Sequence, residues 1–226
     1  MIHPRNNDTN IYPLFEKLFP CFTQESTVLD FGGSSGNLLY DSNNKILQEN
    51  YICIDVVKDA ILSGKKEFPN SKFIHYNKYN QMYNPDGNIN ADFPTIYSKI
   101  DYIWAYSVFS HTNINDFIKT IKWMKSLKPK KIITSYLSND KDQESQRVLD
   151  WYFAKRQSEY GECVDFRKNN DDYFYLSDNN KYGDFTGRHF IAVYNTQWLI
   201  KQLSDNGVIA NKIILKDTSI PFLEIV

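Results

Sequence analysis

The chain has 226 residues, of which 42% are hydrophobic and 23% are charged, so it is long and apolar enough to bury a full core. The formal net charge of -1 gives no electrostatic reason to expect a nucleic acid or an anionic membrane as a partner. Three distant cysteines, Cys21, Cys53 and Cys163, form neither a disulfide framework nor a zinc-binding pattern. We therefore expect reduced thiols, no metal site and a cytoplasmic protein. The sequence contains neither an apolar leader nor a membrane-spanning run.

Short apolar runs alternate with helical patterns between residues 26 and 137, which predicts an α/β sheet. In chain order we expect strands at 26–31, 51–55, 72–77, 100–106 and 131–137, a helix at 58–68 and a loop at 78–99. The clearest helix follows Thr112 or Asn113, either of which can cap it, and its apolar stripe runs from Ile114 to Leu127.

Four lysines lie mostly on the opposite side of that helix: Lys119, Lys122, Lys125 and Lys128. A solvated helix face explains them, and a basic ridge that contacts RNA is the alternative. The low net charge favours the solvated face.

The pattern becomes irregular from residue 138 to residue 190, where the sequence is polar, aromatic and rich in Asn and Asp. A segment of this length predicts a lid or substrate-covering insertion rather than a simple connection. Its tyrosines and phenylalanines fit either the wall of an apolar substrate pocket or a small aromatic core. Beyond it we expect a helix that Thr196 caps and that ends at Asn206-Gly207, followed by antiparallel strands at 208–215 and 221–226.

The most informative segment is 28–36, which reads VLDFGGSSG. Val28 and Leu29 are typical of a buried strand, and Asp30 stands near its carboxyl end, before a loop of glycine and serine. Such a loop lets a ligand approach the backbone, and the free amides of a following helix can face that ligand. The segment therefore predicts half of a nucleotide-binding site.

The spacing of the glycines narrows the choice of nucleotide. A dinucleotide fingerprint counted from Gly32 needs glycine at its third and sixth positions, but Ser34 and Asn37 occupy them. A phosphate-binding P-loop ends in Gly-Lys-Ser/Thr, which this loop lacks. The residues fit acidic-x-Gly-x-Gly-x-Gly instead, with Asp30, Gly32, Ser34 in place of the middle glycine, and Gly36.

This pattern resembles motif I of the class I S-adenosylmethionine-dependent methyltransferases. Asp55 lies 25 residues after Asp30, where this family binds the ribose hydroxyls with an acidic residue. The segment 101–111, DYIWAYSVFSH, is similar to the family's fourth-strand motif, and the last two predicted strands are similar to its closing hairpin. The resemblance implies a Rossmann-like, doubly wound and mostly parallel sheet with a C-terminal antiparallel hairpin and an insertion after strand five.

The same resemblance divides the chain into parts with different roles. It covers a methyltransferase core at 26–137 and 191–226, with a substrate-covering insertion at 138–190. Residues 1–25 form an N-terminal lid or helical segment, in which Arg5 and Tyr12 are candidates for contacts over the cofactor.

Carried over residue by residue, the resemblance implies binding of S-adenosylmethionine, with S-adenosylhomocysteine as the product. The residues implied are Asp30, Gly32, Gly33, Ser34, Gly36, Asp55, Val56, Asn77, Lys78, Tyr106 and Ser107. In this assignment Asp30 holds the ammonium group through water, the loop approaches the methionine part, and Tyr106 and Ser107 line the methionine end. Asp55 binds the ribose, while Val56, Asn77 and Lys78 border the adenine. The alternatives are an ordinary strand-end carboxylate at Asp55 and ordinary polar residues after a strand at Asn77 and Lys78.

Three residues are candidates for catalysis. His111 follows strand four and precedes a helix N-terminus that disfavours its protonation, so it is a candidate base; a structural histidine is the alternative. Arg188 and His189 end the insertion and are candidates for substrate contacts, with Arg188 as a carboxylate clamp; a place on the surface is the alternative. A hydroxyl acceptor needs His111 or His189 to take its proton, whereas a carboxylate acceptor needs only a positive anchor.

The acceptor class follows from what the fourth-strand segment lacks. Members of the family that methylate amino groups of nucleic-acid bases often carry Asn/Asp-Pro-Pro-Tyr/Phe there, but residues 105–108 read AYSV, and no cysteine is near to attack a pyrimidine ring. We therefore expect methyl transfer to an oxygen atom of a small molecule or short peptide, as in natural-product metabolism. A tRNA or rRNA methyltransferase that uses the lysine face, and a catalytically silent cofactor-binding module, are the alternatives.

Overall fold

The computed structural model describes residues 10–160, 172–176, 191–215, 218 and 220–226. Its helices are α1 (Tyr12–Leu18), α2 (Asn37–Asp41), α3 (Lys58–Glu67), α4 (Ile114–Ser126), α5 (Gln143–Tyr160) and α6 (Thr196–Asp205). Its strands are β1 (Val28–Phe31), β2 (Tyr51–Asp55), β3 (Lys72–His75), β4 (Tyr102–Ala105), β5 (Lys131–Ser135), β6 (Leu137–Ser138), β7 (Tyr173–Leu176), β8 (Ile191–Tyr194), β9 (Ala210–Ile213) and β10 (Phe222–Ile225). Short 3-10 helices lie at Gln48–Asn50 and Phe109–His111.

The larger sheet has seven strands in the order β3-β2-β1-β4-β5-β10-β9. β1 pairs in parallel with β2 and β4, and β2 with β3, whereas β9 and β10 are antiparallel. Every residue of β1, β2 and β4 is buried, which explains why these strands read as short apolar runs in the sequence. The prediction of a Rossmann-like, mostly parallel sheet with a closing antiparallel hairpin is confirmed.

The single strand predicted at 131–137 is divided in the structure. β5 ends at Ser135, and Leu137–Ser138 forms β6 in a separate sheet of order β6-β8-β7. In that sheet β6 is parallel to β8, and β7 is antiparallel to β8. The apolar pattern cannot reveal this change of sheet, because Tyr136 and Leu137 are both buried.

Residues 138–190, where the sequence pattern is irregular, contain secondary structure where they are described. The long helix α5 lies within this segment, and β7 pairs with β8 immediately beyond it. Residues 161–171 and 177–190 lie outside the described part of the chain. Its role as a substrate-covering insertion stays a prediction.

Asparagine side chains cap both amphipathic helices of the C-terminal half. At α4, Oδ1 of Asn113 accepts the N–H of Asp116 at 2.9 Å, so Asn113 is the cap of the two residues predicted. At α6, Oδ1 of Asn195 accepts the N–H of Trp198 at 3.1 Å. The prediction that Thr196 caps α6 is wrong, since Thr196 is the first helical residue and is buried. An asparagine in extended backbone directly before the helix takes that place.

Other predicted boundaries differ by a few residues. β1 begins at Val28 rather than at residue 26, because the backbone of Ser26 takes part in a turn with Thr23. α6 ends at Asp205, and Gly207 follows in the left-handed region with φ 76°, as its Asn-Gly signal predicts.

The chain divides into two compact units. The first comprises Met1–Tyr79, Tyr83–Tyr106 and Trp123–Ile133; the second comprises Asn80–Met82, Ser107–Lys122 and Thr134–Val226. In the first, Phe15 of α1 and Phe19 directly after α1 lie edge-on to the buried Trp104 ring, with centroids 6.0 and 6.1 Å from it. In the second, Phe109 stacks on Phe117 with centroids 3.8 Å apart. Across the described ranges, no helix is long and apolar enough to cross a membrane.

Candidate functional site

The loop between β1 and α2 turns through three residues with positive φ. These are Gly32 at 80°, Ser34 at 55° and Gly36 at 88°. The N–H of Gly32 donates to the carbonyl of Ile54 at 2.7 Å, and the N–H of Gly36 donates to the carbonyl of Gly33 at 2.9 Å. The loop thus begins against β2 and closes on itself before α2. Gly32 is exposed, so its backbone offers a surface without a side chain.

Ser34 adopts a left-handed conformation that usually costs a residue with a side chain roughly 1–2 kcal/mol. Two contacts with β2 hold it. Its N–H donates to Oδ2 of Asp55 at 2.8 Å, and Sγ of Cys53 donates to its carbonyl at 3.4 Å. The backbone of Ser34 therefore has the left-handed conformation that glycine adopts most easily, and glycine is the usual residue at this position of motif I.

Asp55 ends β2 and is 8% exposed. Oδ2 accepts the N–H of Ser34, and Oδ1 accepts the N–H of Val57 at 2.8 Å. Burial raises the pKa of Asp55 and outweighs the hydrogen bonds, which favour the ionised form. Each carboxylate oxygen has capacity for a second donor, so the two oxygens can still accept from two vicinal hydroxyls.

Asp30 lies beneath the loop and is 2% exposed. Its Oδ2 accepts the hydroxyl of Tyr51 at 2.5 Å. Gly33 covers the carboxyl group so closely that a methyl group on Gly33 would lie 2.4 Å from the same oxygen. Burial, the largest cause, raises the pKa of Asp30 to about 7, and Asp55 adds to this effect, while the bond from Tyr51 opposes it.

The residues predicted to border the adenine follow β2 and β3. Val56 is half-buried, and its carbonyl hydrogen-bonds to Nε2 of His75 at 3.1 Å. The backbone N–H of Tyr76 donates to the carbonyl of Asp55 at 2.8 Å. The end of β3 therefore supports the backbone on both sides of the Asp55–Val56 peptide.

Asn77 and Lys78 are connected to the loop that follows them. The Asn84 side-chain amide donates to Oδ1 of Asn77 at 3.2 Å and to the carbonyl of Lys78 at 2.9 Å. Nζ of Lys78 donates to the carbonyl of Ile89 at 2.5 Å. These contacts give both residues a structural role within their own loop, and contact with an adenine stays a prediction.

Tyr106 is the last residue of its segment in the first unit, and it is half-buried. Its ring is parallel to that of Trp104, with an interplanar angle of 2° and centroids 5.6 Å apart. Ser107 belongs to the second unit and has a positive φ of 59°. Its N–H donates to Oγ of Ser135 at 2.7 Å, so a bond to the end of β5 holds this left-handed turn.

Of the predicted catalytic residues, the structure describes His111, which belongs to the second unit. His111 ends the 3-10 helix Phe109–His111 and is 8% exposed, and its carbonyl accepts the Asn80 side-chain amide at 3.0 Å. Arg188 and His189 lie outside the described residues, as does Arg5 of the predicted N-terminal lid. Tyr12 is buried in α1, beneath the Lys45 ammonium group, which lies 4.9 Å from the centre of its ring.

Of the lysines predicted on one side of α4 and its C-terminal end, Lys119, Lys122 and Lys128 are exposed, as a solvated face requires. Lys122 reaches the Asn206 side chain at 3.4 Å. Within the residues that the structure describes, no group of three or more His, Cys, Asp or Glu side chains is arranged to hold a metal ion.

Sequence reasoning missed the residues of β2 that support the loop. Tyr51, Cys53 and Asp55 alternate along the strand and share one face. Tyr51 bonds to Asp30, Cys53 to Ser34, and Asp55 to Ser34. The alternation was a usable signal, because a tyrosine four residues and a cysteine two residues before a predicted ligand acid must point toward the same side of the strand.

No protein-family model matches the sequence, and none of the curated proteins does either. Solved structures do match. Magnesium protoporphyrin IX methyltransferase from Synechocystis PCC 6803, with S-adenosylhomocysteine bound, is 13% identical with a TM-score of 0.52, over 95% of this chain and 80% of its own. An S-adenosylmethionine-dependent methyltransferase from Clostridium acetobutylicum ATCC 824 is 13% identical with a TM-score of 0.55, over 96% and 89%. The chain has the class I methyltransferase fold.

A third match is a putative O-methyltransferase from Nostoc punctiforme PCC 73102, 11% identical with a TM-score of 0.57, of which this chain covers 55%. In the class I methyltransferase fold the carboxyl ends of the parallel strands meet at one edge, where α/β sheets bind their ligands. The first unit brings Asp30, the loop at 32–36 and Asp55 together at that edge.

Proposed function

We propose that the chain is an S-adenosylmethionine-dependent methyltransferase that acts in the cytoplasm on an oxygen atom of a small molecule or short peptide, as in natural-product metabolism. The bond between the Ser34 amide and Asp55 carries the cofactor assignment. It joins a loop whose backbone is open at Gly32 to an acidic residue at the end of the neighbouring strand. S-adenosylmethionine is an adenosine joined to an amino acid, so its site needs an open loop for the methionine part next to an acidic residue for the ribose.

The donors and acceptors of the first unit fit this cofactor. Asp55 retains acceptor capacity for two ribose hydroxyls, and Val56 offers a half-buried apolar side chain for the adenine. Asp30 supplies a carboxylate that holds the ammonium group through water, and Gly33, which covers this carboxylate, adds no side chain between them. When bound, S-adenosylmethionine supplies an activated methyl group. The protein then has to place the acceptor in line with that group and exclude water.

An oxygen acceptor on a small molecule is favoured by two observations. The segment after β4 reads AYSV, without the prolines of base-methylating enzymes. Among the structural neighbours, one is described as a putative O-methyltransferase and another as a methyltransferase of magnesium protoporphyrin IX, a small molecule.

The kind of oxygen decides what the protein must do. A hydroxyl has to lose its proton as the new C–O bond forms, and we assign His111 to accept that proton on its imidazole, with His189 as the second candidate. A carboxylate is already deprotonated and needs a cationic anchor, which we assign to Arg188.

Transfer of a radiolabelled methyl group from S-adenosylmethionine tests the function. The wild-type chain would be incubated with panels of hydroxyl-bearing and carboxyl-bearing small molecules, with short peptides and with total tRNA. We expect label in a small molecule or peptide and none in the RNA. Label in RNA alone would replace this function by the RNA methyltransferase, and RNA binding would then fall steeply with salt.

The variant His111→Asn separates the two acceptor chemistries. With a hydroxyl acceptor, its turnover should fall about 100-fold or more, the usual contribution of a general base, while its affinity for S-adenosylhomocysteine stays that of the wild type. With a carboxylate acceptor, turnover should be retained. Wild-type turnover of a hydroxyl substrate by the variant would remove His111 as the base.

A further inference from the structure

A hydrogen bond in the core of the first unit joins Tyr51 of β2 to Asp30 of β1. Tyr51 is not one of the residues that resemble the methyltransferase motifs. Tyr51 opens β2 and lies beside Val28 in the parallel register with β1. Asp30 is two residues further along β1, opposite Cys53, and the Tyr51 hydroxyl donates to its Oδ2 at 2.5 Å. Tyr51 is 0% exposed and Asp30 is 2% exposed, so water does not replace this bond.

Packing alone does not account for this pair. A phenylalanine in place of Tyr51 would fill nearly the same space, and a buried carboxylate is costly unless a donor compensates it. The titratable groups of the described residues that interact with Asp30 are Tyr51, Cys53 and Asp55, all from β2, and none of them is a cation. On the other side, its partner in β4 is the buried Trp104.

The position of the Asp30 carboxyl group sets the position of the loop above it. A methyl group on Gly33 would lie 2.4 Å from Oδ2 and 2.6 Å from Cγ of Asp30, so the Gly33 backbone rests directly on this carboxyl group. Gly33 in turn accepts the amide of Gly36, which closes the loop. A shift of the carboxyl group would therefore move the loop.

We propose that Tyr51 is a positioning residue of the cofactor site: its hydroxyl holds the Asp30 carboxylate against Gly33, and so fixes both the loop and the anion that holds the cofactor's ammonium group through water. This inference rests on the proposed function. Tyr51 itself touches no cofactor in this scheme and acts through Asp30.

The proposal makes cofactor binding dependent on pH in a defined direction. Binding of an ammonium group requires the ionised carboxylate, and burial raises the pKa of Asp30 to about 7. The bond from Tyr51 favours the ionised form and opposes that rise. Removal of the hydroxyl should therefore raise the pKa further, and binding should fail at a higher pH.

The test is a calorimetric titration with S-adenosylhomocysteine between pH 5.5 and 8.5 on the wild type, Tyr51→Phe and Tyr102→Phe. Tyr102 is a matched control, because it is also buried in the first unit and donates its hydroxyl to a carbonyl, that of Cys21, at 2.9 Å. We expect wild-type affinity to fall below about pH 7. The midpoint should rise by about one pH unit in Tyr51→Phe, given the strength of a hydrogen bond to a charged group, and stay unchanged in Tyr102→Phe.

Identical midpoints for Tyr51→Phe and Tyr102→Phe would overturn the inference and leave the proposed function intact. Absence of binding by the wild type at every pH would overturn both. If Tyr51→Phe does not fold, Asp30→Asn decides instead, because it keeps an oxygen that can accept from Tyr51. Its weakened binding should no longer depend on pH in this range, and a fall below pH 7 like that of the wild type would contradict the proposal.

Discussion

The amide nitrogen of Ser34 lies 2.8 Å from the Asp55 carboxylate, so one hydrogen bond joins the loop after β1 to the end of β2. The second oxygen of the same carboxylate accepts the amide of Val57. Asp55 therefore fixes the backbone at Ser34 and at Val57, on both sides of the place where we propose that the ribose binds. The acidic residue has a structural role before any ligand arrives, and this is a physical reason for its place in the pattern.

Replacement of Asp55 should damage binding and folding together. Asp55→Asn keeps one acceptor oxygen but turns an amide donor toward a backbone N–H. We expect at least a ten-fold loss of affinity for S-adenosylhomocysteine and a loss of about 1–3 kcal/mol in the free energy of unfolding. Calorimetry and urea unfolding measure the two effects.

The matched control for that substitution is Asp101→Asn. Asp101 also accepts a backbone amide, that of Thr27, at 3.0 Å, but it lies away from the loop at 32–36 and pairs with Lys130. The control should lose stability and keep its affinity for S-adenosylhomocysteine. An equal loss of affinity in both variants would mean that Asp55 has no special part in binding.

Ser34 should be replaceable by glycine with a gain in stability. The left-handed backbone at φ 55° strains a residue with a side chain, and glycine adopts it freely. Ser34→Gly should raise the free energy of unfolding by about 1 kcal/mol and leave cofactor affinity unchanged. Asn44→Gly, at φ 65° in a turn after α2, should give a smaller gain, because asparagine tolerates the left-handed region better than serine. A loss of stability in Ser34→Gly alone would show that the serine side chain makes a compensating contact.

Asp30 should lower stability at neutral pH. Its pKa in the folded protein is raised to about 7 from 3.8, so the folded state holds a proton that the unfolded state has already lost between about pH 4 and pH 7. Stability due to this group is therefore present below pH 4 and falls as pH rises to 7, by up to about 4 kcal/mol at 1.36 kcal/mol per pKa unit.

The variant Asp30→Asn isolates this effect from the other titrating groups. Thermal unfolding of the two proteins should give similar midpoints at pH 4 and a higher midpoint for the variant at pH 8, together with weaker cofactor binding. A variant less stable than the wild type at pH 8 would show that the ionised carboxylate stabilises the fold.

Asp140 in the second unit should show the opposite pH dependence. Its carboxylate accepts from Nζ of Lys212 at 2.7 Å. It also accepts from the backbone N–H and the hydroxyl of Thr196, at 2.9 and 2.6 Å. Burial raises the pKa, but these bonds outweigh it and the net pKa is lowered. The stabilisation is thus present above the ordinary pKa near 4 and is lost as pH falls through the lower folded value.

We expect the free energy of unfolding of Asp140→Asn, measured with urea, to be about 1–3 kcal/mol lower than that of the wild type at pH 7. This difference should shrink as the pH falls below 4. Glu144→Gln is a suitable control, because its ion pair with Arg147 is exposed and should contribute little. A difference that persists unchanged at low pH would remove the charge of Asp140 as its cause.

The sequence was enough to predict the sheet around the site, because its signals there are local. Buried parallel strands read as apolar runs, and a loop of glycines and serines marks the crossing from β1 to α2. The proximity of Asp30 and Asp55 could be anticipated, since both lie near the carboxyl ends of neighbouring parallel strands, and these ends meet at one edge of the sheet.

Other features depend on contacts that the pattern does not contain. The chain leaves the larger sheet between Ser135 and Leu137, although the apolar run continues through both strands. Thr196 looks like a helix cap, but Asp140, 56 residues earlier, binds it and the cap passes to Asn195. Both features, the change of sheet and the N-cap of α6, depend on contacts between residues far apart in sequence.

The most direct measurement is a calorimetric titration of S-adenosylhomocysteine into the wild-type chain at pH 8, where Asp30 is ionised. A saturable binding isotherm with one site per chain is predicted, and it should weaken at least ten-fold in Asp55→Asn. No binding by the folded wild-type protein across the accessible concentrations would contradict the cofactor site, and with it the proposed methyltransferase activity.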